Sequence, residues 1–242
     1  MVGTIVNALA ILAGGGLGLL LRGASPERFR ITIMQGLALA VLLIGAQGAL
    51  KTNDLMCVIT SLVLGGLLGE ALRIEERLEA LGESARRLFE RIGSRGLPKT
   101  DGPGLPSTFT EGFLTASLVY CVGAMAIVGS LEDGLTGARA TLFAKASLDG
   151  VSAVFFASTL GPGVLLSALP VVVYQGAITL LARLVSPLLT DAVMAEMSAV
   201  GGLLIVGIGV NLLGVMKVRV GNLLPAALLP MVYVPVAAMF SR

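Results

Sequence analysis

Residues 3–21 read GTIVNALAILAGGGLGLLL and contain no charged side chain. A helix rises about 1.5 Å per residue, so about 20 apolar residues are needed to cross the roughly 30 Å hydrocarbon core of a bilayer. This stretch is therefore predicted to be a transmembrane helix. No basic residue precedes it and no small-residue cleavage signal follows it, so we interpret it as a retained first helix and not as a signal peptide.

Further apolar stretches recur along the 242 residues, which are 55% hydrophobic and only 13% charged. Soluble domains carry about a quarter charged residues, so this composition is typical of an all-α membrane protein. We predict about eight transmembrane helices, over residues 3–21, 31–50, 55–72, 111–131, 140–160, 163–182, 196–215 and 222–240. The sixth contains Pro170 and the eighth contains Pro225, Pro230 and Pro235, so both helices are candidates for a kink or a break.

The residue types that are missing exclude several classes of function. The chain has no histidine, which excludes Ser-His and Cys-His triads and any histidine metal site. No second intramembrane aspartate is available to Asp149 for a paired-acid mechanism, so we expect no enzyme and no cofactor. Cys57 and Cys121 lie in apolar stretches, and we predict that they are core residues in preference to a disulfide or a metal site. A net charge of +2 is too small to indicate a nucleic-acid partner.

Basic residues are distributed unevenly between the two predicted sides of the membrane. Twelve fall on one side, including seven between Arg73 and Lys99, and four fall on the other. By the positive-inside rule the first side is cytoplasmic, which places both termini outside. No organelle signal is evident, so we expect a multi-pass protein of a prokaryotic inner membrane.

Residues 73–95 are the one soluble-looking segment. Apolar side chains recur there at steps of three and four and form a single stripe: Ile74, Leu78, Leu81, Ala85, Leu88 and Ile92. We expect an amphipathic helix that continues the third helix into the cytoplasm, followed by a Gly/Pro-rich linker over 96–108. This helix is either a solvated or membrane-surface element or a site for a partner protein.

The two ends of the chain resemble each other. GTIVNAL at 3–9 aligns with GVLLSAL at 163–169, and IGAQ at 44–47 aligns with IGVN at 208–211. Because the copies start five helices apart, they run in opposite directions, as the inverted repeats of secondary transporters do. The predicted divisions are a first repeat over 1–72, the cytoplasmic helix and linker over 73–110, a central helix pair over 111–160, and a second repeat over 161–242.

Lys145 and Asp149 are four residues apart and therefore share one face of the fifth helix. A charge at bilayer depth costs about 3 kcal/mol, and such residues usually face a bundle interior or water. Gly150 and Ser152 are small residues that leave room beside the pair for a permeant species or for the backbone of another helix. The alternative is a self-neutralising pair that only positions the helix.

Uncharged polar side chains also lie inside apolar helices, where they serve either as interhelical hydrogen bonds or as ligands. The candidate ion or solute pathway comprises Lys145, Asp149, Ser152, Asn7, Gln47, Gln175, Asn211 and Asn222. Glu70 and Glu111 lie at helix ends, as interfacial residues or as carboxylates at a pore mouth. Gly14 with Gly18, and Gly65 with Gly69, form small-xxx-small faces that fit either tight internal packing or a homodimer.

Several longer motifs carry a resemblance to a known family. They are LFAKASLDG at 142–150, ASTLGPGV at 157–164 and PVVVYQG at 170–176. The chain resembles, over nearly its whole length, an uncharacterised prokaryotic membrane family, the YqgA/YdfK-like domain of unknown function. The resemblance implies at most a membrane transport protein and supplies neither a substrate nor site residues.

The sequence as a whole predicts a transporter or channel for an ion or small solute, embedded in the lipid bilayer and expected to be oligomeric. The alternative function is a membrane-embedded interaction or regulatory protein that acts through the amphipathic helix.

Overall fold

The computed structural model describes residues 1–22, 27–78, 80, 108–121 and 124–240, and within these ranges every regular element is a helix. The first half contains α1 (Val2–Arg22), α2 (Glu27–Ala49), α3 (Leu55–Ala71), α4 (Thr108–Cys121), α5 (Ala124–Leu135) and α6 (Ala140–Leu160). The second half contains α7 (Gly163–Leu166), α8 (Ala168–Leu180), α9 (Ala182–Val185), α10 (Asp191–Leu212), α11 (Val220–Leu223), a 3-10 helix (Leu224–Leu228) and α12 (Pro230–Phe240).

The all-α membrane class is confirmed, whereas the number of spans is not fixed. Among the described residues, five stretches are long and apolar enough to cross a bilayer: α1, α2, α6, α7 with α8, and α10. Two bent pairs, α4 with α5 and α11 with α12, raise the number to seven if each pair is one span. The shorter α3, with 17 residues, is also apolar. Large apolar side chains such as Leu20, Leu50 and Leu180 are exposed, as expected of a surface that faces lipid.

Two predicted boundaries are wrong. The fourth helix was predicted as one element over 111–131, but α4 and α5 are separate and inclined by 58°. The seventh helix was predicted from residue 196, but α10 begins at Asp191 because the Thr190 hydroxyl accepts a hydrogen bond from the Val193 amide.

The two proline-containing helices are interrupted. Pro170 has no N–H to donate to the carbonyl of Leu166, and the chain leaves regular α-helix at Ser167 between α7 and α8. Around Pro225 the chain forms the 3-10 helix. The segment Val220–Leu228, made of α11 and this 3-10 helix, is inclined by 40° to α12.

The predicted continuation of the third helix into the cytoplasm is also wrong at its start. Helix α3 ends at Ala71, and Arg73 has a φ of 50°, a left-handed conformation that turns the chain. A new helical turn then covers 74–78. The rest of the predicted amphipathic stripe and the linker over 96–107 lie outside the described residues.

Helix α1 packs along α6 through glycines. Gly14 lies directly against the backbone of Gly150, and Gly18 lies directly against the backbone of Val154. The order of these contacts shows that α1 and α6 run in the same direction. Of the two interpretations of the Gly14 and Gly18 face, the contacts within the chain therefore correspond to tight internal packing.

Helix α2 packs along α10 in the opposite direction, with reciprocal contacts. Gly45 lies against Val206, and Gly209 lies against Leu42. The predicted repeat aligns Gly45 with Gly209 and hence Leu42 with Val206, so each contact is the image of the other. Two copies related by a two-fold axis make contacts of this kind. They support the inverted repeat, which stays a prediction.

Candidate functional site

Lys145 and Asp149 form a buried ion pair on one face of α6. The Lys145 ammonium lies 3.0 Å from Oδ1 of Asp149 and 2.8 Å from Oδ2, so it bridges both carboxylate oxygens. The two residues are 7% and 6% exposed, respectively. The predicted spacing on one helix face is confirmed, and the pair faces neighbouring helices and not lipid.

Two amides from other helices complete this cluster. The Asn7 side chain of α1 donates from Nδ2 to Oδ2 of Asp149 at 3.0 Å, and its Nδ2 lies 3.4 Å from Oε1 of Gln175 on α8. Both amide residues are fully buried. Asn7 Oδ1 and Gln175 Nε2 have no hydrogen-bond partner. We call Lys145, Asp149, Asn7 and Gln175 the charged cluster.

Helix packing explains why these four side chains meet. Gly150, the residue after Asp149, lies close to Ala10 of α1, so α1 approaches α6 near the level of the ion pair. Helix α8 crosses α1 beside it, with Gly176 against Met1. On the α4 side, Tyr120 lies near Ser152 and Asp149, and its buried hydroxyl has no hydrogen-bond partner. The Tyr120 ring packs against Phe156 with 6.2 Å between the ring centroids.

The other predicted pathway residues are not part of the charged cluster. The Ser152 hydroxyl donates to backbone carbonyls of its own helix, those of Leu148 and Asp149. Gln47 is exposed on α2. Asn211 fixes the turn after α10, because its amide both donates to the Val218 carbonyl and accepts from the Val218 amide.

Asn222 belongs to a second polar group, at the end of α3. Its amide donates to Glu70 Oε2 at 2.6 Å and accepts from the Glu75 backbone amide at 2.8 Å. Glu70 also pairs with Arg219 at 2.9 Å, on the surface. This arrangement ties the turn after α3 to the start of α11.

A cavity of about 350 Å³ lies next to this second group, between α4 and the end of α10. Its polar lining includes Glu75, Glu111, Asn211 and Lys217, and most of the other lining residues are apolar. Glu111 therefore borders a cavity, and so does Asn211. No described group of three or more His, Cys, Asp or Glu side chains is arranged to hold a metal ion.

The comparisons with known proteins agree on one family. A family model described as "Protein of unknown function (DUF554)" matches residues 2–235. This chain belongs to the DUF554 family. It is 34% identical over 231 residues to the uncharacterized protein YqgA of Escherichia coli, covering 96% of this chain and 95% of that protein. It is 30% identical over 238 residues to the uncharacterized membrane protein YdfK of Bacillus subtilis, covering 97% and 96%.

No solved structure matches this DUF554 chain. The predicted family membership is therefore confirmed, and the name of the Bacillus relative agrees with a membrane protein. Neither the family description nor the names of the relatives supply a substrate or site residues.

Sequence reasoning missed two buried carboxylates in this DUF554 protein. Glu196, 2% exposed, accepts hydrogen bonds from the Thr52 hydroxyl and from the backbone amides of Asn53 and Asp54. Asp133, 8% exposed, accepts from the Gly3 amide and from Arg139. The sequence signal for Glu196 is Thr190. Threonine is a common N-cap residue, and a cap at Thr190 starts the helix at Asp191, which places Glu196 inside α10.

Proposed function

We propose that this DUF554 protein is a transporter or channel that moves an ion or small solute across a prokaryotic inner membrane. The observation that carries the proposal is the charged cluster, in which side chains from α1, α6 and α8 converge inside the helix bundle. Buried ionisable residues in membrane proteins usually mark a substrate or ion pathway. The 58° angle between α4 and α5 and the 3-10 helix around Pro225 are also typical of transporters with discontinuous helices.

The unpartnered amide atoms favour a pathway over a purely structural ion pair. A pair that only positions α6 has no need of further polar groups, yet Asn7 Oδ1 and Gln175 Nε2 are buried beside it without a partner. Most buried polar atoms in proteins have a hydrogen-bond partner, so two unpaired amide atoms beside a buried ion pair favour a place where a ligand binds.

A flux assay tests the proposal. Purified protein is reconstituted into liposomes, and uptake is measured for common cations, anions and small metabolites against protein-free liposomes. The expected result is protein-dependent flux of one class of solute and its loss in Lys145→Met, with Lys51→Met, an exposed lysine in the loop after α2, as the control that retains it. Flux that persists in Lys145→Met would remove the charged cluster from the pathway.

The interaction alternative depends on the amphipathic helix predicted over residues 73–95. Deleting 81–95 while keeping 73–80 leaves the contact between Glu75 and Asn222 in place. A transporter is expected to keep its flux after this deletion. A protein that acts through the amphipathic helix would lose its partner and show no protein-dependent flux at all.

A further inference from the structure

The charge balance of the charged cluster limits what it can bind. The cluster contains one ammonium and one carboxylate, so it is neutral when the ion pair is closed. Adding a single ion of either sign leaves a net charge in a low-dielectric place, which is strongly unfavourable. Adding one cation and one anion together keeps the cluster neutral.

The geometry of the ion pair limits which cation can enter. Both carboxylate oxygens of Asp149 contact the Lys145 ammonium, and Oδ2 also accepts from Asn7. A metal cation would need several oxygen ligands at the position that the ammonium occupies, and the two positive charges would repel. A proton needs only one lone pair of one carboxylate oxygen.

We propose that the charged cluster binds a proton and a small monovalent anion together, the proton on Asp149 and the anion on Lys145. An O–H bond forms at a carboxylate oxygen of Asp149, and the salt bridge to Lys145 breaks. Lys145 keeps its charge and exchanges the carboxylate for the anion. The inference rests on the proposed function, since it assigns the coupling ion and the solute class to the same site.

The two amides are suited to the loaded state. Asn7 donates to the charged carboxylate, and its free Oδ1 can accept from the protonated carboxyl group after the amide turns. Gln175 Nε2 is a buried donor without a partner, which suits an anion held by Lys145. The cluster is closely enclosed, because Asn7 and Gln175 are fully buried, so the anion must be small.

A line of unpartnered hydroxyls leads from the cluster toward one membrane face. Thr4 lies one turn before Asn7 on α1, and Thr179 lies one turn after Gln175 on α8. Because α1 and α8 run in opposite directions, Thr4 and Thr179 both lie on the side of the cluster that is nearer the start of α1. The hydroxyls of Thr4 and Thr179 are buried without a hydrogen-bond partner. The half-exposed Arg139 lies on the same side, next to Asp133.

The neighbouring titratable groups leave Asp149 as the acceptor of the proton. Helix α4 contributes Tyr120 and Cys121, and both lie within range of the Asp149 charge. Tyrosine and cysteine are ordinarily protonated near neutral pH, so neither can take a further proton. Helices α1 and α8 contribute the amides of Asn7 and Gln175, which do not titrate. Asp133 of α5 is paired with the Met1 ammonium and with Arg139, and it accepts from the Gly3 amide.

Anion binding to purified variants in detergent tests the proposal without measuring transport. Asp149→Asn mimics the protonated site and leaves Lys145 without its carboxylate. Thermal unfolding is followed over a series of nitrate, chloride and formate concentrations, with Lys145→Met/Asp149→Asn as the control for general salt effects. We expect at least one of these anions to bind Asp149→Asn about tenfold or more tightly than the double variant, since a charge-assisted bond is gained. Equal binding in both variants for all three anions would overturn the proposal.

The wild-type protein provides a second measurement in case Asp149→Asn does not fold. Its affinity for the same anions should rise as the pH falls from about 8 to about 5, because protonation of Asp149 frees Lys145. A wild-type affinity that does not change with pH would overturn the proposal. So would binding of glycine in place of these anions, because this zwitterion carries both charges and needs no proton on Asp149. Flux of a solute without proton or anion movement would overturn this inference alone and leave the transport function in place.

Discussion

Asp149 and Glu196 are both buried carboxylates, but the protein stabilises them in different ways. Asp149 is neutralised by the movable ammonium of Lys145. Glu196 is held by a hydroxyl and two backbone amides of one loop. The hydrogen bonds from these backbone amides to Glu196 cannot break unless the loop between α2 and α3 moves. We therefore interpret Glu196 as a structural clamp and Asp149 as the residue that can exchange its partner.

The clamp predicts a clear effect of Glu196→Gln on stability. The amide nitrogen of Gln cannot accept a hydrogen bond, so the loop loses a charge-assisted bond and the free energy of unfolding falls by about 1.5–3 kcal/mol. The matched control is Asp54→Asn, which keeps the oxygen that caps α3 and should change stability by about 0.5 kcal/mol or less. Thermal unfolding in detergent compares the two. Equal losses would contradict the clamp.

Sequence alone could identify the types of side chain at the site but not all of their neighbours. Lys145 and Asp149 are close in sequence, so helix periodicity was enough to pair them. Asn7 and Gln175 come from distant helices, and only the packing of α1 against α6 and α8 brings them to Asp149. Gln47 has the same chemistry as Gln175 but lies on an exposed face. Apolar sequence on every side of a membrane helix gives no signal that separates these cases.

At the scale of single elements, α3 and α6 have the boundaries that the sequence predicts to within one residue. Asp54 caps the start of α3, and Gly161 ends α6 with a φ of 88°. These signals are local and therefore visible in the sequence. The angle between α4 and α5 is not visible in the same way, because the apolar sequence of α4 continues into that of α5.

The contact between α1 and α6 predicts different outcomes for two neighbouring glycines of α1. A Cβ at Gly14 would collide with the Gly150 backbone, so Gly14→Ala should destabilise the protein by about 1–3 kcal/mol. Gly16 has open space around it, so Gly16→Ala should be neutral or stabilising by up to about 1 kcal/mol. Thermal unfolding in detergent provides the measurement. Equal tolerance of both substitutions would show that the two helices do not pack in this way.

At the scale of the whole molecule, the helices that the predicted repeat matches with each other pack in antiparallel pairs. Helices α2 and α10 are antiparallel, and Gly65 and Gly69 of α3 lie against Ala226 and Asn222 in reverse order. This is the relation that two inverted repeats require. The predicted homodimer and the placement of the termini outside the cell stay predictions.

The orientation predicts opposite labelling of two engineered cysteines. In a background that lacks Cys57 and Cys121, Ser94→Cys should react with a membrane-impermeant thiol reagent only from the cytoplasmic side, and Thr136→Cys only from outside. Both expectations follow from the twelve basic residues on one side and four on the other. Labelling of both positions from the same side would contradict the predicted topology.

The central claim is that Lys145 and Asp149 contact the transported species, and a double substitution tests it most directly. Lys145→Met and Asp149→Leu should each lower stability by about 3–5 kcal/mol, because each leaves a buried charge unpaired. Lys145→Met/Asp149→Leu removes both charges and should regain stability. Thermal unfolding and liposome flux are measured side by side for the three variants. We expect the double variant to fold and to show no flux. Recovery of flux together with stability would contradict the claim and leave the pair with a structural role only.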